Sequence, residues 1–408
     1  MAAHIPFVNT LNDCKILKNY YRNSDFVRVS LETINKIESH LPSNLPLWID
    51  PAIDGYHNRL ITNWPKDRSK YSSRHAQMWN NLENIFNTFD GYQILTDRKH
   101  WIKKNYSLLQ TFVDSILDKC CTYNPSWITI PQLPLVADGS RNKINIWLAE
   151  ATGNWITKKN NIKLILPVII TNTNILTKKP LRDQKLKLVS DCYRKANASG
   201  IWIVDNTLSD QNRNENFSLR YAKLIEFHNI VNKQLVGNGI KIAGPYWGIN
   251  IVLWARGICD YPAICLGTSY TYYISCGVPY PGNVRLAITP LKRLVTASGL
   301  KIWLDTVIKK MNPDDPAVID FEYLSRNYHI LSQRESAINQ VSQFYKKWLD
   351  SIEAIPKSGR ALGLYQDLSS AFVLGKQLPE LPKSALPYCS AKAREAGKTA
   401  EQLMLNCF

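Results

Sequence analysis

Short β-branched runs punctuate this chain, each followed by a polar loop and then by a segment with helical spacing. The clearest are Leu47–Asp50 (LWID), Trp127–Gln132 (WITIPQ), Leu164–Ile170 (LILPVII), Ile201–Asp205 (IWIVD), Ile240–Tyr246 (IKIAGPY), Ala263–Gly267 (AICLG) and Val284–Ile288 (VRLAI). They are apolar at nearly every position rather than at alternate ones, the pattern of strands covered on both faces of a parallel sheet. Between them, helical spacing is found in Arg74–Phe89, with Trp79, Leu82, Ile85 and Phe86 on one face, and in Trp101–Cys120. It recurs in Ile144–Trp155, Lys185–Ala198, Leu219–Val231 and Ile249–Gly257. Strand followed by helix, repeated many times, predicts an α/β protein.

Seven such strands, with an eighth from Ile5–Asn9 or Phe26–Val29, match a (β/α)8 TIM-like barrel in number and length. The barrel is expected to occupy residues 1–300, with an inserted helical segment near 72–121. A doubly wound open sheet is the alternative, but neither GxGxxG nor GxxxxGK[ST] follows the first strand. Residues 301–408 are expected to form a helical C-terminal extension: Phe321–Ile352 reads as one or two helices. The connector IPKSGRALG follows, and Ala391–Leu405 reads as a last short helix.

At 408 residues and 45% hydrophobic, the chain has material for a large core. It contains no run of eighteen apolar residues, so no membrane partner is expected. The opening MAAHIPFVNTLNDCK lacks the basic and apolar regions of a secretory signal, and a cytoplasmic location is expected. Nine cysteines without CxxC pairing predict reduced thiols; no metal and no cofactor are expected. Fifty Lys and Arg against 33 Asp and Glu give a net charge of +17, a balance that attracts polyanions.

In a barrel of this kind the active site is built at the carboxyl ends of the strands. Two strands end on a carboxylate, Asp50 and Asp205. Facing one another over a pocket, such a pair can supply a nucleophile and a general acid/base for glycosidic-bond chemistry. Each can equally cap a helix or bond loop amides. The same mouth would carry Gln132, Asn172 and Thr268. Tyr246, Trp247 and Gly248 in GPYWGIN would offer ring faces for stacking, or pack in the core; Trp202 is expected in the core. No HExxH or GxSxG is present. Two βα connections are basic: WPKDRSKYSSRH with Lys66, Arg68, Lys70 and Arg74, and LTKKPLRDQKLK with Lys178, Lys179 and Arg182. Both would lie on the face of the strand-end acids and hold a phosphate backbone while one nucleotide enters.

IDPAIDGYH and IWIVDNT, on a barrel with a basic rim, resemble the queuosine/archaeosine-type tRNA-guanine transglycosylases and their relatives that insert deazaguanines into DNA. The resemblance spans Leu47 to Ile288 and lacks the CxCxxC…H zinc site and the glycine-rich base-binding strand of that family. It implies Asp205 as nucleophile at the sugar C1′, Asp50 as the acid that handles the base, and a modified guanine-type base as a possible ligand. The expected function is a nucleic-acid- or nucleoside-directed enzyme that exchanges or cleaves an N-glycosidic bond on DNA or tRNA. A non-catalytic nucleic-acid-binding component and a two-carboxylate sugar hydrolase remain as alternatives.

Overall fold

The computed structural model describes residues 4–20, 26–42, 45–53, 87–96, 103–136, 139–159, 161–208, 217–266, 284–386 and 391–408. Eight parallel strands close on themselves: β1 (Ile5–Val8), β2 (Val27–Ser30), β3 (Leu47–Asp50), β4 (Trp127–Thr129), β5 (Lys163–Ile170), β6 (Gly200–Asp205), β7 (Ile240–Ala243) and β8 (Tyr261–Cys265). Each pairs with its neighbours in sequence, and β1 pairs with β8 to shut the ring. The fold is therefore the (β/α)8 barrel that the apolar runs predict. Both N-terminal candidates are barrel strands. The run at Val284–Ile288 is not: it forms β9 (Arg285–Ile288), the first arm of an antiparallel hairpin with β10 (Arg293–Thr296). A closed ring has no free edge for a ninth strand, so a further apolar run has to pair elsewhere.

Parallel strands need crossover connections, and helices supply them. The principal ones are α1 (Leu11–Tyr20), α2 (Leu31–Ile37), α3 (Tyr106–Cys121), α4 (Gly139–Ile156), α5 (Lys179–Lys195), α6 (Phe217–Val231) and α7 (Ile249–Ala255). α3 starts five residues later than its periodicity suggests because the Asn105 side chain accepts the Leu108 N–H and caps it. It buries Phe112, Ile116 and Leu117 against the outer wall. Most of the expected helix Arg74–Phe89 lies outside the described residues.

The bore is filled by aromatic rings. Phe7, Trp48, Trp127 and Trp202 belong to one inner cluster with Ile165 and Ile242. Trp48 meets Trp202 edge-on at 5.2 Å, and Phe7 meets Trp48 at 5.6 Å. Such edge-to-face pairs add to the area term. Trp48 donates to Thr129 Oγ1 at 2.8 Å, so its indole N–H is satisfied inside the barrel.

After β8 and the hairpin come α8 (Leu300–Lys310), α9 (Pro316–Arg326), α10 (Arg334–Glu353), α11 (Arg360–Gln377) and α12 (Lys398–Met404). The region is helical as predicted, with α8 and α11 as helices that the sequence reading missed. The hairpin, α8 and α9 share a core of their own, with Leu286, Val295, Trp303 and Phe321. α10 and α11 join the main core through Val341, Phe344, Trp348 and Leu368, with α10 beside α1 and α11 beside α7. No helix among the described residues is long and apolar enough to cross a membrane.

Trp202 is fully buried in the bore. Trp202→Ala is expected to cost about 3–5 kcal/mol, read as a lowered urea midpoint, with Trp202→Phe losing distinctly less.

Candidate active site at the barrel mouth

The strand β2, VRVS, carries a charge in an otherwise apolar run. Val27 and Val29 pack in the outer core, so Arg28 points into the bore. Its guanidinium lies over the rings of Phe7 and Trp202, at 4.7 and 5.8 Å, and only 4% of the residue is exposed. A charge this deep requires a partner. Asp50, at the end of β3, provides it: Arg28 Nε donates to Asp50 Oδ2 at 3.1 Å, and a terminal nitrogen makes a second, shorter bond to the same oxygen. Arg28 Nη1 also reaches Asn9 Oδ1 at 3.3 Å. Asp50 Oδ1 accepts the Ala52 N–H at 2.9 Å, closing a turn in which Ala52 has φ of +53°. The carboxylate that ends LWID thus neutralises a buried arginine and shapes the exit from its strand.

Asn9 leads to a second carboxylate. Asp13 Oδ2 accepts the N–H groups of Asn9 and Thr10 at 2.8 and 2.9 Å, while Thr10 Oγ1 accepts the Asp13 N–H at 3.2 Å. This reciprocal arrangement caps α1. Burial pushes the Asp13 carboxyl up to about 7 against those hydrogen bonds. Cys265, at the end of β8, has its thiol pushed to about 12 by burial, with Arg28 drawing it down and Asp13 raising it further. A cavity of about 710 Å³ opens beside this group, lined by Asn9, Thr10, Asp13 and Cys265 and continuing past Lys15 and Arg334. Four neighbouring strands in the ring therefore contribute to one polar cluster at the mouth, β8, β1 and β3 from their carboxyl ends and β2 from its second residue.

Asp205 lies elsewhere. Its register partner on β5 is Ile170, and Ile170, Ile203 and Ile201 all pack in the outer core, whereas Trp202 and Val204 fill the bore. The Asp205 side chain therefore faces the helical layer. Arg220 of α6 donates to its two oxygens at 3.2 and 3.1 Å, and Thr207 bonds it through N–H and hydroxyl at 2.8 and 2.5 Å. The expected meeting of Asp50 and Asp205 over one pocket does not occur, because the barrel wall runs between them. A sequence signal was available: tryptophan precedes Asp50 by two positions and Asp205 by three, so with both tryptophans in the bore only Asp50 shares their side.

The remaining candidates are scattered. Gln132 is buried and donates to the Asn145 carbonyl at 2.9 Å, tying the post-β4 loop to α4. Asn172 Oδ1 accepts the Asn174 N–H at 2.9 Å in a local turn. Tyr246 is buried and donates to the Ile203 carbonyl at 2.9 Å; Trp247 packs on Phe344, Tyr345 and Trp348. The Gly248 N–H meets the Tyr345 hydroxyl at 3.3 Å. This trio joins the barrel to α10 rather than presenting ring faces at the mouth. Lys178 and Lys179 are exposed, Lys179 pairing with Asp183 at 2.6 Å, but Arg182 is buried and pairs with Glu226 at 2.7 Å. Lys66, Arg68, Lys70, Arg74 and Thr268 lie outside the described residues. Arg28, Asn9 and Asp13 were not singled out from the sequence; a lone arginine inside an apolar run was the available clue.

Among the described residues no group of three or more His, Cys, Asp and Glu side chains is placed to hold a metal. No protein-family model, curated protein or solved structure gives a significant match to the chain.

Asp205→Ala is expected to cost about 3–5 kcal/mol by stranding the Arg220 charge; adding Arg220→Met should recover much of it in a double-mutant cycle. The pH dependence has two opposed limbs. Asp13 sits at about 7 when folded against an ordinary 3.8, so its stabilising contribution is complete below about pH 4 and is lost as pH rises through 7. Burial lowers His4 and His228 to about 3 from 6.5, so their contributions are complete above pH 6.5 and are lost as pH falls towards 3. Two histidines oppose one aspartate between pH 4 and 6.5, so urea titrations should show stability rising with pH there, and rising more steeply in Asp13→Asn, which removes the opposing limb.

Proposed function

We propose that the chain is a nucleic-acid- or nucleoside-directed enzyme that exchanges or cleaves an N-glycosidic bond at the mouth of its barrel, with Asp50 as the reacting carboxylate. The observation that carries this reading is the way Asp50 is held. Arg28 engages Oδ2 twice, and among the described residues Oδ1 accepts only the Ala52 N–H. One oxygen is fixed and the other retains a free lone pair, inside the bore and at a strand's carboxyl end, where such barrels do their chemistry. The net charge of +17 and the exposed lysines of the connection leaving β5 favour a phosphate-bearing substrate.

The division of roles differs from the one the family resemblance implies, since Asp205 is turned to the outer wall. Asp50 Oδ1 attacks the sugar C1′ as the base departs with the electron pair of the C–N bond and takes up a proton. Asp13, raised to about 7 and lining the cavity that opens beside the Asn9 side of this cluster, is suited to supply and recover that proton. A second base, or water, then donates its lone pair to C1′, loses a proton and releases the carboxylate. Two displacements retain the configuration at C1′.

The near-complete burial of Asp50, 2% exposed, favours a second reading, a nucleic-acid-binding barrel without catalysis. Incubation with tRNA, single-stranded DNA or duplex DNA and labelled guanine, followed by chromatography of released and incorporated base, separates the two. The first reading expects base release or exchange with one of these, reduced about 10⁴-fold or more by Asp50→Asn, while gel-shift affinity holds at a temperature where the variant is folded; its melting temperature should fall, because Arg28 loses its counter-charge. Base chemistry that survives Asp50→Asn intact sinks the mechanism; salt-steep binding with no base chemistry supports the second reading.

A further inference from the structure

A second cavity, of about 690 Å³, lies in the C-terminal unit between the β9–β10 turn, α9 and α10. Its volume suits a small molecule. Two lysines flank it. Lys292, in the left-handed region at φ +49°, pairs with Asp367 at 3.1 Å and lies over the rings of Phe344 and Trp348 at 5.8 and 5.5 Å, so its ammonium is held in place. Lys347 is exposed on α10 and carries no ion pair among the described residues. Opposite them on α9 stands Asp320, half-buried, with no hydrogen bond or ion pair among the described residues. Its carboxyl is raised by burial, with Lys292 and Lys347 pulling the other way. Ser336, Asn339 and Gln343 lie three and four residues apart on α10 and form a polar ridge along the cavity; Tyr323 offers a ring that is 55% exposed.

We propose that this cavity binds a nucleoside monophosphate whose base presents N–H donors, with the phosphate at Lys347 and Lys292 and the base edge at Asp320. Each half of the ligand answers a separate feature. Lysines at the rim attract an anion, yet a bare anion leaves Asp320 facing like charge. A carboxylate is an acceptor on both oxygens and calls for neighbouring donors. Guanine has two adjacent N–H donors on one edge, whereas adenine sets an acceptor beside its single amino group. The ridge of amide and hydroxyl groups suits a ribose, and the aromatic surfaces suit a flat ring. This inference is independent of the chemistry proposed at the barrel mouth.

Isothermal titration of the full chain with guanosine monophosphate, adenosine monophosphate, guanosine and orthophosphate tests it. Saturable one-to-one binding is expected for guanosine monophosphate, weaker for each of the others. Lys347→Glu should weaken it by about tenfold or more, and Asp320→Asn should erase the preference for guanine over adenine. In the unsubstituted protein, guanosine monophosphate should protect Lys347 from acetylation, a readout that needs no variant. Absence of saturable binding at millimolar ligand overturns the proposal. So does binding that neither substitution changes, or orthophosphate binding as tight as the nucleotide's.

Discussion

A guanidinium in the bore of a barrel is tolerable only if its charge and all of its directed donors are met there. For Arg28, Asp50 meets the charge and takes two donors, Asn9 takes a third, and two aromatic faces flank the group. One side chain of β2 thereby ties together the carboxyl ends of its two neighbours, β1 and β3. Asp50's position then fixes the turn at Ala52, and Asn9's position is shared with the cap of α1. The polar geometry of the mouth follows from satisfying one buried cation. The rings that line the bore matter in the same way, because they exclude water from the pair.

The second strand-end carboxylate obeys the same rule on the opposite side of the wall. Asp205 bonds the N–H two residues on and takes an arginine, as Asp50 does, but its arginine comes from α6 and its surroundings are the helical layer. Two local motifs of nearly identical chemistry therefore do different work. One pins a crossover helix to its strand, and the other joins the polar cluster at the mouth of the bore.

Much of the architecture was legible because strands buried on both faces show as unbroken apolar runs. The same property hid what lay within them. An unbroken run does not say which residues point inwards, so Asp50 and Asp205 looked equivalent until register and the tryptophan spacing separated them. Val284–Ile288 looked like a barrel strand because apolarity does not name a partner. Phe26–Val29 read only as one of two candidates for an eighth strand, although its arginine is the centre of the mouth. The aromatic pair Tyr246 and Trp247 looked like a ligand platform because its cover, Phe344, Tyr345 and Trp348, comes about a hundred residues later.

The helix beside α1 in the finished ring is α10, which the chain supplies only after leaving the barrel, building the hairpin unit and returning. Among the described residues, the helix that packs beside α1 at the seam between the first and last strands is therefore complete only at residue 353. A truncated chain stopping after β8 would carry a complete set of strands and a bare stretch of apolar wall. The hairpin excursion thus stands in the chain between the last barrel strand, which ends at Cys265, and the helix packed beside α1, which begins at Arg334.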